Sequence, residues 1–213
     1  MIRIALVDDH SLFRKGLKVL LSSRKDFCIV ADAGSGEEFL SVLMQAQPDV
    51  VFMDYSMPQM NGAETTRRAL EMLPDLKIIT LSMFGDNAYY SRMASSGAKG
   101  FLLKDSEFDE VVEAGSTVCD GGTYFSALLL ESISQSLRSV EGLPIDEHDM
   151  LSDREVEILV GICQGLSTQE IADRLFISKR TVDKHRANIL EKSGCKNTAS
   201  LVVYAIKNGL VEV

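Results

Sequence analysis

The chain has 213 residues, 46% hydrophobic and 25% charged, with 22 basic against 31 acidic side chains. This length holds one large domain or two modest ones, and the composition is that of a globular chain, neither proline-rich, apolar-poor nor cysteine-dense. No apolar run approaches the roughly 18–20 residues that span a bilayer, MIRIALVDDH lacks the parts of a signal peptide, and Cys28, Cys119, Cys163 and Cys195 show neither a C-x-x-C pair nor a metal-ligand spacing.

These features argue against secretion, membrane insertion, a disulfide scaffold and a structural zinc site, and the expected location is cytoplasmic. The charge is uneven. Residues 1–125 carry a net of −6, residues 126–150 a net of −4 and residues 151–213 a net of +1. Within the last segment Lys179, Arg180, Lys184, Arg186, Lys192 and Lys196 face only Asp183 and Glu191. A local cationic excess in an acidic chain marks either a solvated helix face or a polyanion-binding surface.

Over the first 120 residues short branched-apolar runs alternate with longer segments of helical period. The runs IRIALV (2–7), CIVADA (28–33), DVVFMD (49–54), KIITLS (77–82) and GFLLK (100–104) read as buried strands. Helical stripes lie between them: Phe13, Leu17, Leu20 and Leu21; Phe39, Leu40, Leu43 and Met44; Ala69, Leu70, Met72 and Leu73; then Val111, Val112, Gly115 and Val118. A further, more polar helix is placed around 86–96, where it reads as a surface element. Five strands alternating with five helices predict an α/β, doubly wound, five-stranded parallel sheet, because every parallel crossover needs a helix.

After residue 125 the pattern changes. Leu129, Ile133 and Leu137 predict a short helix, and VEGLPIDEHDM reads as an acidic linker. From Leu151 onward four helices are predicted, near 153–164, 168–175, 179–193 and 197–208. Ser152 with Glu155 and Ser167 with Glu170 match capping boxes, and Gly165, Gly194 and Gly209 fall at helix ends. The division is therefore 1–125, a linker at 126–150, and a small all-α domain at 151–213.

Asp8 and Asp9 end the first strand and Asp54 ends the third. In an open parallel sheet of order 2-1-3-4-5 these strands are neighbours, so the three carboxylates converge where such sheets bind ligands. Crowded carboxylates call for a cation, and oxygen donors with water suit Mg2+. Ser82 and Lys104 end the fourth and fifth strands on the same rim. A carboxylate trio, a hydroxyl and an ammonium make a site for a phosphoryl group, with one carboxylate as nucleophile. Each residue alone has a plainer role as a cap, a turn former or a solvated side chain. The joint placement favours the chemistry. His10 reads as a loop residue before a Ser11 cap.

LVDDH at 6–10, MDYSMPQMNG at 53–62, Ser82 in TLSMF and Lys104 in GAKGFLLKD make residues 1–122 resemble the receiver domain of bacterial two-component response regulators. The resemblance implies a flavodoxin-like fold, Asp54 as phosphoacceptor and Asp8 with Asp9 as the acidic pair. It further implies Mg2+ held by Asp9, Asp54 and the main-chain carbonyl of Ser56, Lys104 on the phosphoryl oxygens, and Ser82 with Phe101 as a switch. Pro58 and Gly62 shape the loop after Asp54.

The short connection between helices 168–175 and 179–193 predicts a helix-turn-helix. Ile171, Ala172, Leu175, Val182, Ile189 and Leu190 are spaced to pack inward. Lys179, Arg180, Thr181, Lys184, His185 and Arg186 then lie toward the start of the second helix, where a recognition helix meets DNA. Val182 is open between a thymine-methyl contact and core packing. The run from Leu151 resembles the LuxR-type DNA-binding domain, which with a receiver gives the NarL/FixJ arrangement. That implies a DNA-binding transcription regulator rather than an enzyme, a sensor histidine kinase acting in trans, a homodimer on DNA, and no membrane partner. Asp183 departs from the basic or neutral residue of many relatives, so base preference does not carry over. Two rival readings remain. An aspartyl phosphatase would place D-x-D after the first strand, which this chain lacks; a receiver that senses a ligand would not need the full set of acidic, hydroxyl and amino groups.

Overall fold

The computed structural model describes residues 1–83, 96–126, 151–195 and 197–211. The five apolar runs form β1 (Ile2–Val7), β2 (Phe27–Ala33), β3 (Val50–Asp54), β4 (Lys77–Ser82) and β5 (Gly100–Leu103). All pair in parallel in the order 2-1-3-4-5. A two-residue strand, β6 (Tyr124–Phe125), adds a sixth member beside β5, pairing Gly100 with Tyr124 and Phe101 with Phe125. Two residues are too short to show a periodicity, so β6 has no signature in the sequence.

The central strands are apolar at consecutive positions because both faces of the sheet are covered. Ile4, Leu6, Phe52, Ile79, Leu81 and Leu102 point to one face, where Leu17 and Leu21 of α1 (Ser11–Ser22) and Val111, Ala114 and Val118 of α4 (Phe108–Cys119) pack on them. Ala5, Val7, Val51, Met53 and Ile78 point to the other, under Phe39 and Leu43 of α2 (Gly36–Ala46) and Ala69 of α3 (Gly62–Met72). Within the predicted stripes Leu20 and Met44 are exposed, so each helix buries a narrower face than its apolar content implies. The helix expected around 86–96 and the one suggested by Leu129, Ile133 and Leu137 lie outside the described residues, apart from Ser96.

The C-terminal helices are α5 (Asp153–Cys163), α6 (Thr168–Arg174), α7 (Lys179–Ser193) and α8 (Thr198–Lys207). Both predicted capping boxes form: Ser152 and Ser167 accept from the N–H groups of Glu155 and Glu170, whose carboxylates reach back to the cap backbones. Ile158, Ile162, Ile171, Ala172, Val182, Ile189, Leu201 and Ala205 make a common core.

Three of these helices end alike. After α5, Gly165 (φ +79) donates to Ile162 and Leu166 to Gly161; after α8, Gly209 (φ +65) donates to Ile206 and Leu210 to Ala205. After α6 the same paired bonds run from Phe176 to Asp173 and from Ile177 to Ala172. This is the Schellman pattern, whose left-handed position favours glycine. At the turn between α6 and α7 that position is held by Phe176, at φ +54 with its ring 95% exposed.

Phe176→Gly therefore relieves backbone strain without removing packing, and urea unfolding is expected to show a gain of about 1 kcal/mol. A second prediction concerns acid. The Lys192 ammonium, 2.8 Å from Glu155, holds that carboxyl at about 2. A carboxyl depressed on folding adds stability above its unfolded pKa of about 4.3, and this is lost as pH falls toward about 2. Lys192→Met should be less stable at neutral pH and should lose less on acidification across that window, as read by circular dichroism of residues 151–213 within the full chain.

Candidate functional site

The strand order makes β1 and β3 neighbours, and their ends bring the acidic residues together. Asp8 and Asp54 are buried and Asp9 is half-buried. Lys104 follows β5, two strands from β3, and reaches back across β4: its Nζ stands 2.7 Å from Asp8 Oδ2 and 3.0 Å from Asp54 Oδ2, with the side chain only 3% exposed. The ammonium also lies 5.1 Å from the centre of the Phe13 ring, whose face attracts cations. Ser82 ends β4 and is buried, and its carbonyl accepts from the Lys104 N–H at 2.8 Å. The N–H of Ser56 donates to Asp54 Oδ1 at 3.1 Å. The five predicted rim residues thus meet at one place.

Burial pushes the Asp54 carboxyl above the ordinary range; the Lys104 ammonium opposes this and the charge of Asp8 adds to it. Asp8 Oδ2 and Asp54 Oδ2 are buried and face the Lys104 ammonium as ion pairs, while Asp9 Oδ1 is buried without a hydrogen-bond partner among the described residues. One carboxylate oxygen each from Asp8, Asp9 and Asp54, with a ring nitrogen of His10, lie within 4.8 Å of one another. Carboxylate oxygens crowded at this spacing fit a divalent cation, and the hard oxygen set fits Mg2+.

Two features of the surrounding shell were not legible in sequence. Arg14 of α1 donates through Nη1 to the main-chain carbonyl of Asp8 and through Nε to Asp32, which also binds Lys18 at 2.8 Å. Burial raises the Asp32 carboxyl, but the hydrogen bonds of Lys18 and Arg14 outweigh it and hold it below the usual range. The tip of β1 is therefore tied to β2 through charge. His10 is itself the residue before α1, its side chain caps nothing, and Ser11 is the first helical residue rather than the cap.

Gly62 does not serve the loop through conformational freedom. It opens α3 against the backbone of Asp54, and a Cβ there would fall on the Asp54 carbonyl oxygen and crowd Tyr55. The left-handed position of that loop belongs to Gln59 (φ +64).

On the helical domain, Lys179, Arg180, Asp183 and Lys184 are exposed along the first half of α7. Thr181 bonds the capping Ser178 through its backbone N–H and its hydroxyl. Val182 is wholly buried among Ile171, Ala172 and Ile189, so packing, not a base contact, is its place. His185 is half-buried and its Nδ1 has no hydrogen-bond partner. Arg186 bonds Thr168 and Thr198 at 3.4 and 3.2 Å, and burial holds its guanidinium below the ordinary range. Lys99 of the sheet domain is lowered by burial, with a smaller contribution from the charge of Arg186.

The domains also touch elsewhere. The Thr123 hydroxyl donates to the Ile162 carbonyl at 3.0 Å, and Gly122 packs against the Gly165 carbonyl so closely that a Cβ would not fit. Tyr55, which follows Asp54, and Phe101, stacked on Phe125 with ring centres 5.5 Å apart, belong to the same apolar cluster as the core of α5–α8.

Residues 4–115 match the family model of the response regulator receiver domain, and residues 149–205 that of the luxR family of bacterial regulatory proteins. Among characterised relatives, the transcriptional regulatory protein DegU of Brevibacillus brevis is 34% identical, covering all of this chain and 96% of its own. The oxygen regulatory protein NreC of Staphylococcus epidermidis is 36% identical, covering 99% of both. Among solved structures, the response regulator ChrA of a heme-sensing two-component system is 31% identical over 99% of this chain and 98% of its own, with a TM-score of 0.55. A complex of the response regulator RcsB with DNA shares the fold at 22% identity and a TM-score of 0.56, over 97% of this chain and 98% of that one.

The raised Asp54 carboxyl carries a stability consequence. A carboxyl whose pKa rises on folding stabilises the fold below its unfolded pKa, near 3.9, and that contribution is lost as pH rises through the folded value. In the absence of divalent cations Asp54→Asn is expected to flatten this decline and to melt higher than the native chain at neutral pH, as measured by calorimetry.

Proposed function

The chain belongs to the response regulators that join a receiver domain to a LuxR-type DNA-binding domain, the NarL/FixJ arrangement of phosphorylation-dependent transcription regulators, and on that premise we propose that Asp54 is the phosphoacceptor. The supporting observation is the Asp54 carboxylate itself, buried at the end of β3 between Asp8 and the ammonium of Lys104. A sensor histidine kinase on another chain supplies the phosphoryl group. An Asp54 oxygen attacks phosphorus, the phosphorus–nitrogen bond of the donor phosphohistidine breaks, and an acyl phosphate remains on Asp54. Lys104 pairs with the phosphoryl oxygens and Ser82 hydrogen-bonds one of them. Asp9, Asp54 and the main-chain carbonyl of Ser56 would hold Mg2+, with Asp8 completing the acidic pocket; the ion when bound neutralises charge on the transferred oxygens.

The switch runs through the same residues. As Ser82 moves onto the phosphoryl group, Phe101 turns toward the space beside it and leaves Phe125. Because Phe101 and Tyr55 share a cluster with α5–α8, that turn changes how the helical domain is held. The domains are residues 1–125 and 151–213, joined through 126–150. The released helical domain reads DNA through α7, with Lys179, Arg180, Thr181 and Lys184 on its open side and His185 and Arg186 added when the domains part. Two copies on paired half-sites form a homodimer. Asp183, exposed between the cations, accepts a hydrogen bond from a cytosine amino group. The protein is cytoplasmic and not an enzyme toward other substrates; its chemistry is confined to gaining and losing its own phosphoryl group.

Incubation with a small-molecule phosphodonor and Mg2+ is expected to add one phosphoryl mass to the native chain and none to Asp54→Ala. A gain that survives the substitution overturns the assignment. For DNA, Arg180→Ala and Lys184→Ala are each expected to weaken operator binding and to lower the salt slope by about one unit in fluorescence anisotropy titrations. Unchanged affinity and slope in both rejects α7 as the reading face.

A further inference from the structure

The acidic pocket holds one nitrogen donor that the function above does not use. His10 follows the acidic pair directly, and its side chain stands at the mouth of the pocket, 58% exposed. Its Nδ1 lies 3.2 Å from Asp9 Oδ1, 3.4 Å from Asp8 Oδ1 and 3.8 Å from Asp54 Oδ2. No hydrogen bond from the ring accounts for this approach. Asp9 Oδ1 remains without a hydrogen-bond partner among the described residues, and Asp54 Oδ2, on a side chain 99% buried, meets the Lys104 ammonium at 3.0 Å. The ring contact that has hydrogen-bond geometry is to Lys104 Nζ, at 3.4 Å. An ammonium can only donate, so in that contact Nδ1 presents a lone pair.

The spacings of Nδ1 to Asp9 and Asp8, 3.2 and 3.4 Å, are those of ligands around one ion, and the 3.8 Å to Asp54 is wider. Two donors held about 2.1 Å from a metal stand about 3.0 Å apart at a right angle and about 3.4 Å apart at the tetrahedral angle. The backbone fixes this placement: the His10 N–H donates to Asp8 Oδ1 at 2.7 Å, and the ring is free of any capping duty at the start of α1.

We infer that His10 is a metal ligand of the phosphoacceptor pocket, and that its imidazole gives the site a preference for borderline divalent transition ions over Mg2+. The inference rests on the reading of Asp8, Asp9 and Asp54 as a cation pocket. Carboxylates and water suit Mg2+, which keeps several waters, whereas an imidazole nitrogen adds far more to the binding of ions such as Co2+. His10 takes a coordination position at the mouth that Mg2+ leaves to water.

The test uses the full-length chain with Co2+ and Mg2+ as probes. Calorimetric titration of the native chain, His10→Ala and His10→Asn gives the two affinities, and proton NMR of the Co2+ form reports imidazole signals shifted by the paramagnetic ion. The inference expects Co2+ binding to weaken about tenfold or more in His10→Ala while Mg2+ affinity stays within a factor of about three. It also expects a shifted imidazole signal in the native chain that both variants lack. His10→Asn, a favourable cap residue, keeps α1 formed and separates loss of the ligand from loss of the helix. If both ions bind and their affinity ratio is the same in all three proteins, with no shifted imidazole, His10 is not a ligand and the carboxylate pocket stands alone. If neither ion binds the native chain, the cation pocket itself fails, and this inference fails with it.

Discussion

Three carboxylates at the ends of two adjacent strands repel, and the receiver half of the molecule is organised around holding them together. One buried ammonium does most of this. Lys104 arrives from β5, crosses the end of β4 and lies within 3.0 Å of both Asp8 and Asp54. Its own desolvation is offset by the two carboxylates and by the ring of Phe13. Burial still raises the Asp54 carboxyl above the ordinary range, and the charge of Asp8 adds to this, so the Lys104 ammonium does not fully offset the cost of holding these acids together. The acidic cluster is therefore one that could hold a further cation.

The remainder of the pocket is backbone held close. Gly62 lets α3 begin against the Asp54 carbonyl, and Arg14 anchors the carbonyl of Asp8 while pairing with Asp32 on β2. Neither contact touches the chemistry, yet both fix where the carboxylates stand. A sheet with both faces covered has little freedom to adjust at its rim.

The route out of the site is short. Tyr55 follows Asp54 and Phe101 lies on β5, and both share an apolar cluster with the helical domain. The domain contact itself mixes two kinds of interaction. Backbone meets backbone at Gly122 and Gly165, and Thr123 bonds Ile162, which fixes position; the charge of Arg186 reaches Lys99, whose ammonium burial already disfavours. The contact also divides α7, leaving Lys179, Arg180 and Lys184 open while Arg186 is engaged with Thr168 and Thr198.

Periodicity and end signals in the sequence determined the five main strands, the described helices of both halves and the capping boxes at Ser152 and Ser167, because these depend on residues near one another in the chain. They also placed Asp8, Asp9, Asp54, Ser82 and Lys104 on one rim, since strand ends of a parallel sheet must share an edge. Tertiary structure alone decided the rest. Whether Val182 faced DNA or the core depended on which helices surround it. The reason for Gly62 lay in the approach of Asp54, not in its own backbone angles. Arg14, Phe13 and His10 joined the pocket only because α1 folds back over β1, and β6 formed only because β5 offered an edge. Local pattern fixes which face a residue takes on its own element; what that face meets is set by the packing of segments far apart in sequence.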